Sequence, residues 1–170
     1  MKRILLFLTL YSFFTVYANN YEVRKTIIKD MEPMKNIKDI SIFTNNFLHK
    51  QLKVESGLHH VVNGKLIKSK AGALGIAQFM PSTWRWLRRE GIIPKNFDIA
   101  NEEHQKEAQR LYMEYLYNFD YGINEDKHVL ATASYNAGPN RVKKLVKKYG
   151  SNWKYHLPSE TKKYLIKLNL

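Results

Sequence analysis

The side chains able to move protons or hold a polar ligand fall in a few short stretches of this sequence. "KVESG", residues 53–57, places one carboxylate, Glu55, on the apolar register of a helical run just before a glycine. A carboxyl in that position can lose part of its hydration, which raises its pKa and keeps a proton available near neutral pH, as a general acid requires. Read alone, the pattern favours the plainer alternative, a solvated helix-end acid beside Lys53. "SKAGALGIAQFMPSTW", residues 69–84, sets Gln78 among Ile76, Phe79 and Met80 in a stretch crowded with glycine and alanine. Small residues let backbone approach a bulky ligand closely. A half-buried amide there must find partners, in the loop itself or on a ligand's hydroxyls and amides. "SYNAGPNRV", residues 134–142, leads Tyr135 and Asn136 into an Ala-Gly-Pro break, where Asn commonly stabilises the turn. "LPSETKKYL", residues 157–165, puts Glu160 in a first helical turn, favourable to the helix dipole by itself, with Ser159 as the expected N-cap. His59 and His60 have no third ligand candidate nearby, so they read as surface residues and no metal is expected. Nothing calls for a cofactor.

These groups need helices to position them. From Ile37 the spacing of Ile40, Phe43, Phe47, Leu48, Leu52 and Glu55 predicts a helix that stops at Gly57. Asn63-Gly64, flanked by Val61-Val62 and Leu66-Ile67, predicts a two-residue type I′ hairpin, expected as the only sheet. Pro81 and Ser82 open a helix that Gly91 and Pro94 end. "NEEHQKEAQRLYMEYLYNF" is helical, with Ala108, Leu111, Tyr112, Tyr115 and Leu116 on one register. "DKHVLATASYNAG" is a helix of small residues breaking at Gly138-Pro139, and two more helices follow. Short connections predict one mainly α domain around a central helix.

The chain has 170 residues, no Cys and a formal net charge of +13. "MKRILLFLTLYSFFTVYA" carries two cations, an apolar stretch and a small-x-small ending, the pattern of a secretory signal peptide cut after Ala18. A retained anchor is the alternative, though the stretch is short for a span. Without Cys, neither a lipid anchor nor a disulfide is expected. Residues 19–36 form a polar lead segment and 37–170 the domain. The positive charge on an exported chain suits an anionic wall polymer or membrane surface. No zinc-finger spacing or RNA-binding aromatic signature supports nucleic acid as a partner.

In combination the motifs resemble a known family. Glu55-Ser56-Gly57, then the pattern Ser69-x-x-Gly72-Ala73-x-Gly75-x-x-Gln78-x-Met80-Pro81-x-Thr83, then Tyr135-Asn136-Ala137-Gly138-Pro139, then Pro158-x-Glu160-Thr161-x-x-Tyr164 look like the soluble lytic transglycosylases. The resemblance spans about residues 37–168 and is nearest to the compact secretion- or phage-associated type. It implies a lysozyme-like α-rich fold, a small hairpin after the catalytic helix, and cleavage of bacterial peptidoglycan by a monomeric, periplasmic or envelope enzyme. Glu55 then matches the single catalytic acid. Ser69 matches a serine that hydrogen-bonds near it, and Gln78 and Met80 match groove residues beside the scissile sugars. Tyr135 and Asn136 match residues lining the cleft, Tyr112 a tyrosine of the preceding helix, and Glu160 a second, supporting acid. No other carboxylate in the motifs is evident close to Glu55. The loop between Glu55 and Ser69 departs from the larger members by carrying the Asn63-Gly64 hairpin. A lysozyme-type hydrolase on the same fold, or a wall-binding assembly factor with an idle groove, are the alternatives. A secretion, pilus or conjugation apparatus is a possible associate.

Overall fold

A computed structural model describes residues 42–170. The stretch read as a signal peptide, the expected lead segment and the part of the expected first helical run at 37–41 lie outside the described residues. Six α-helices and one hairpin follow in order: α1 (Asn45–Ser56), β1 (Val61–Val62), β2 (Lys65–Leu66), α2 (Pro81–Arg89), α3 (Glu102–Tyr117), α4 (Lys127–Ala137), α5 (Pro139–Tyr149), a 3₁₀ segment (Gly150–His156) and α6 (Ser159–Leu168). The expected mainly α architecture with a small hairpin after the first helix is what forms.

Thr44 starts α1. Its backbone is extended and its hydroxyl accepts from Phe47 N, so Phe43, expected inside the helix, lies before it and packs into the core instead. At the other end Gly57 adopts φ 67° and its N–H returns to Lys53 O, so the last turn closes one residue beyond Ser56. The hairpin turn is Asn63-Gly64, both with positive φ as a type I′ turn requires, and Val61 pairs with Leu66 and Val62 with Lys65. Among the described residues this is the one sheet, supplemented by single bridges from Leu74 to Lys68 and Phe79. Pro81 begins α2 at a position where its missing N–H costs nothing. The expected Ser159 cap on α6 is displaced by one residue. Pro158 occupies the cap, and Ser159 is already helical with no side-chain capping bond.

Two apolar clusters hold the helices together. One gathers Phe43, Leu48, Leu52, Ile76, Phe79, Trp84, Leu87, Met113 and Leu116 from α1, α2, α3 and the loop between β2 and α2. The other joins Leu130, Val142, Val146, Trp153, Leu157 and Leu165 from α4, α5, the 3₁₀ segment and α6. Helix α4 serves both: Ala131 is fully buried in the first cluster and Ala133 in the second. Its small side chains let neighbouring helices approach on either side, which explains the composition of "LATASYNAG".

Candidate active site

Glu55 lies in the last turn of α1, half-buried, with the ends of α4 and α6 against it. Loss of hydration is the main reason its pKa rises from 4.5 to about 7. The Glu160 carboxylate raises it further, while a hydrogen bond from the Tyr164 hydroxyl pulls it down. The local sequence favours a solvated acid paired with Lys53; among the described residues Glu55 makes no ion pair, and the tyrosines Tyr135 and Tyr164 interact with it. The absence of a nearby second carboxylate, expected from the motifs, does not hold in this form. Glu160 is exposed in the first turn of α6, yet its charge reaches Glu55.

Tyr164 is held by a chain of amides. Gln109 Nε2 donates to Leu48 O (3.1 Å) and to Gln51 Oε1 (2.7 Å), and Gln51 Nε2 donates to the Tyr164 hydroxyl (3.0 Å) and to Met113 Sδ (3.4 Å). Because the hydroxyl oxygen accepts from Gln51, its own proton is free to point at Glu55. All three partners are buried, where unpaired polar groups would be costly, so the chain's direction is fixed. Burial and the Glu55 charge hold the Tyr164 pKa well above its ordinary value. It is a hydrogen-bond donor at physiological pH, not a base.

Tyr135 closes the opposite side. Its hydroxyl donates to Ala77 O (2.8 Å), tying the end of α4 to the loop that carries Gln78. Burial, then the Glu55 charge, raise its pKa well above normal. Its ring lies 5.9 Å from Phe79 and 5.5 Å from Tyr112, centroid to centroid. Tyr112 is itself buried, so it forms the aromatic floor under Tyr135 more than an open groove wall.

The remaining sequence candidates divide. Gln78 is half-buried with φ 51°, and its Nε2 donates to Gly75 O (2.8 Å), so one role of the amide is to close its own loop. Met80 caps α2 and is 38% exposed, available to a ligand on the same rim. Asn136 is half-buried and accepts from Thr161 Oγ1 (2.8 Å), which pins α4 to α6 beside Glu160; among the described residues its amide N–H groups have no partner. Ser69 bonds within its own loop. Its hydroxyl accepts from Ala73 N (3.0 Å) and closes the loop, and none of its hydrogen bonds reaches Glu55.

Three residues have structural roles that the sequence reading does not assign. Buried Gln105 threads the Gln78 loop, accepting from Ala77 N (2.9 Å) and donating to Leu74 O (3.1 Å) and Ile99 O (2.7 Å). A Cβ on Gly75 would stand 2.1 Å from Gln105 Nε2, so only glycine leaves room for that clamp. His60, expected at the surface, is buried: its Nδ1 accepts from Ile76 N (3.2 Å) and its Nε2 donates to Ala100 O (2.8 Å). It joins the hairpin to the same loop. His59 is exposed as expected. Among the described residues no group of three His, Asp or Glu side chains could hold a metal ion.

Elsewhere the surface carries cationic hollows. Shallow hollows of about 260 and 390 Å³ are lined by Arg85, Arg88, Arg89 and Lys95, and by Asn140, Lys143, Lys144 and Lys147. The acids concentrate in residues 98–126, which hold eight Asp and Glu against Lys106 and Arg110.

A half-buried acid at the end of a helix, with tyrosines beside it in an α-rich domain with one hairpin, is consistent with a lysozyme-like α domain. Residues 45–157 match the family model described as the transglycosylase SLT domain, and the chain belongs to that family. The family acts on peptidoglycan by lytic transglycosylase-type chemistry. A comparison with curated proteins gives no match. The matched span includes Glu55, Gln78 and Tyr135; Glu160 and Tyr164 lie beyond it.

Proposed function

We propose that the protein is an exported lytic transglycosylase that cleaves the β-1,4 bond between N-acetylmuramic acid and N-acetylglucosamine with Glu55 as its one proton-transfer residue. The observation that carries this reading is the Glu55 carboxyl, desolvated enough to keep a proton near pH 7 and bonded by the Tyr164 hydroxyl on the helix that also holds Asn136 through Thr161. Protonated Glu55 donates to the glycosidic oxygen as the C1–O4 bond breaks. The muramyl N-acetyl oxygen stabilises the cationic C1. The Glu55 carboxylate then takes the C6 hydroxyl proton, and O6 bonds to C1 to give a 1,6-anhydro ring. One group serves as acid and then base, which requires a pKa near the working pH. Tyr164 steadies the carboxylate in the second half, and Asn136 and Gln78 hold the sugar amides.

Glu160 favours a second reading. Its carboxylate acts on Glu55 across the site, so a water activated by Glu160 would give hydrolysis in a two-carboxylate scheme. Mass spectrometry of released muropeptides separates the two: anhydro ends support the transglycosylase, and reducing ends support the hydrolase. Glu160→Gln should retain anhydro product under the first reading and lose product under the second. Glu55→Gln should lower muropeptide release by at least ~10³-fold with an unchanged fold. Substantial residual cleavage by that variant would refute the role of Glu55. Export by the N-terminal 18 residues and local wall opening for an envelope apparatus complete the proposal. Fractionation of cells for the processed chain, and pull-down from envelope extracts, test these two parts.

A further inference from the structure

We propose that the outer face of α6, together with Tyr155, is a docking surface for an anionic lipid bilayer. The buried side of α6 carries Thr161, Tyr164, Leu165 and Leu168. Its opposite side carries Lys162 and Lys163, then Ile166 and Lys167 one turn later; past the left-handed Asn169 cap lies Leu170, whose N–H returns to Leu165 O. Ile166 is 69% exposed and Leu170 41%, so two aliphatic side chains stand in water among cations. Tyr155, at 76%, extends this surface, because Lys162 Nζ donates to Tyr155 O at 2.6 Å and fixes the two side by side.

Single exposed apolar residues need no explanation, but a mostly exposed isoleucine set among lysines on one helix face, with an exposed tyrosine tied to that helix, does. Charge around the patch is one-sided. Residues 127–170 contain ten Lys and Arg and one acid, Glu160, which faces the Glu55 side of α6. A glycan or a nucleic acid would meet the lysines and leave Ile166 and Leu170 wet. A bilayer surface satisfies both kinds of group: lysine heads meet anionic lipid, their stems and the aliphatic tips enter the acyl boundary, and an aromatic with a polar end suits the headgroup level. Among the described residues no helix is long and apolar enough to cross a membrane, so the mode here is lying on the surface.

The chain has no Cys, so a single introduced one reports its own environment. Ile166→Cys and, as a control at another exposed site, Asn96→Cys are labelled with an environment-sensitive dye in the full chain. Each is mixed with phosphatidylglycerol-containing vesicles or with neutral phosphatidylcholine vesicles. The expected result is a blue shift and quenching by membrane-borne quenchers at position 166 alone, with anionic vesicles alone, reversed by salt. Each lysine near such a surface contributes roughly a fivefold change in binding. Combined Lys162→Glu, Lys163→Glu and Lys167→Glu should therefore raise the lipid midpoint at least tenfold. Because the readout is local, binding elsewhere on the chain does not imitate it. A dye at 166 that stays water-exposed, or equal shifts at 166 and 96, would overturn the proposal. Digestion of purified wall in solution is expected to be unchanged in all these variants, which confirms their fold and keeps this test separate from the catalytic one.

Discussion

Tyr164 and Glu160 pull the titration of Glu55 in opposite directions, and that opposition can be measured. The tyrosine donates to the carboxylate and lowers its pKa; the second acid repels it and raises the pKa. The kcat/KM of a general acid falls as pH rises through the free-enzyme pKa, here about 7. Tyr164→Phe should move that limb to higher pH, and Glu160→Gln should move it to lower pH. Pre-steady or steady-state pH profiles on soluble glycan strands check both. Equal shifts in one direction would show that the two residues act only through the fold. Stability supplies an independent sign. The folded pKa of Glu55 lies above its unfolded value, so between about 4.5 and 7 the folded chain binds more protons. Its contribution to stability is neutral below the unfolded pKa and becomes a penalty as pH rises through the folded one, on the order of 3 kcal/mol. Glu55→Gln should therefore unfold at higher temperature than the parent at pH 8 and at about the same temperature at pH 4.

At the scale of elements, the loop from β2 to α2 is the least regular part of the site and the most tightly specified. Gly75→Ala places a methyl against Gln105 at a backbone φ of 72°, so the three Gln105 hydrogen bonds, two to this loop and one to Ile99 O, are broken or stretched. The expected loss is roughly 2–5 kcal/mol together with activity. Gly64→Ala has the same φ but open space around the new methyl, and should lose only about 1 kcal/mol. Urea unfolding of the two variants tests the comparison. The helices and the hairpin were legible because their signals are local: apolar spacing in α1 and α3, Asn63-Gly64 in the turn, and Gly57 at a helix end. The motifs single out Glu55, Tyr135 and Glu160, and in the fold the Glu160 charge acts on Glu55 and the Glu55 charge on Tyr135. Gln51, Gln105 and Gln109 were not legible, because a glutamine within a polar helix looks like any solvated residue. Only contacts across 28 to 113 residues reveal that they are buried clamps. His60 was misread for the same reason, since its partners Ile76 and Ala100 are distant in sequence. Ser69 matched its motif by residue type, but the closed Ser69–Ala73 loop uses its hydroxyl locally.

For the whole molecule, α4 makes the two apolar clusters one structure. Ala131 and Ala133 face different clusters from the same helix, so neither cluster can loosen without disturbing the other. Near-ultraviolet and far-ultraviolet signals should lose structure in a single coincident transition. Ala131→Leu, which overfills the first cluster, should lower that transition by about 1–3 kcal/mol without splitting it. The amide chain from Leu48 O through Gln109, Gln51 and Tyr164 crosses the same joints, linking α1, α3 and α6 before it ends at Glu55. A hydrogen bond weakens steeply as its partners separate. The proton affinity of Glu55 is therefore a gauge of how well three helices are aligned. A core change remote from the sugar, such as Met113→Ala, would register as a shifted pH–activity curve even where the protein still folds and binds wall.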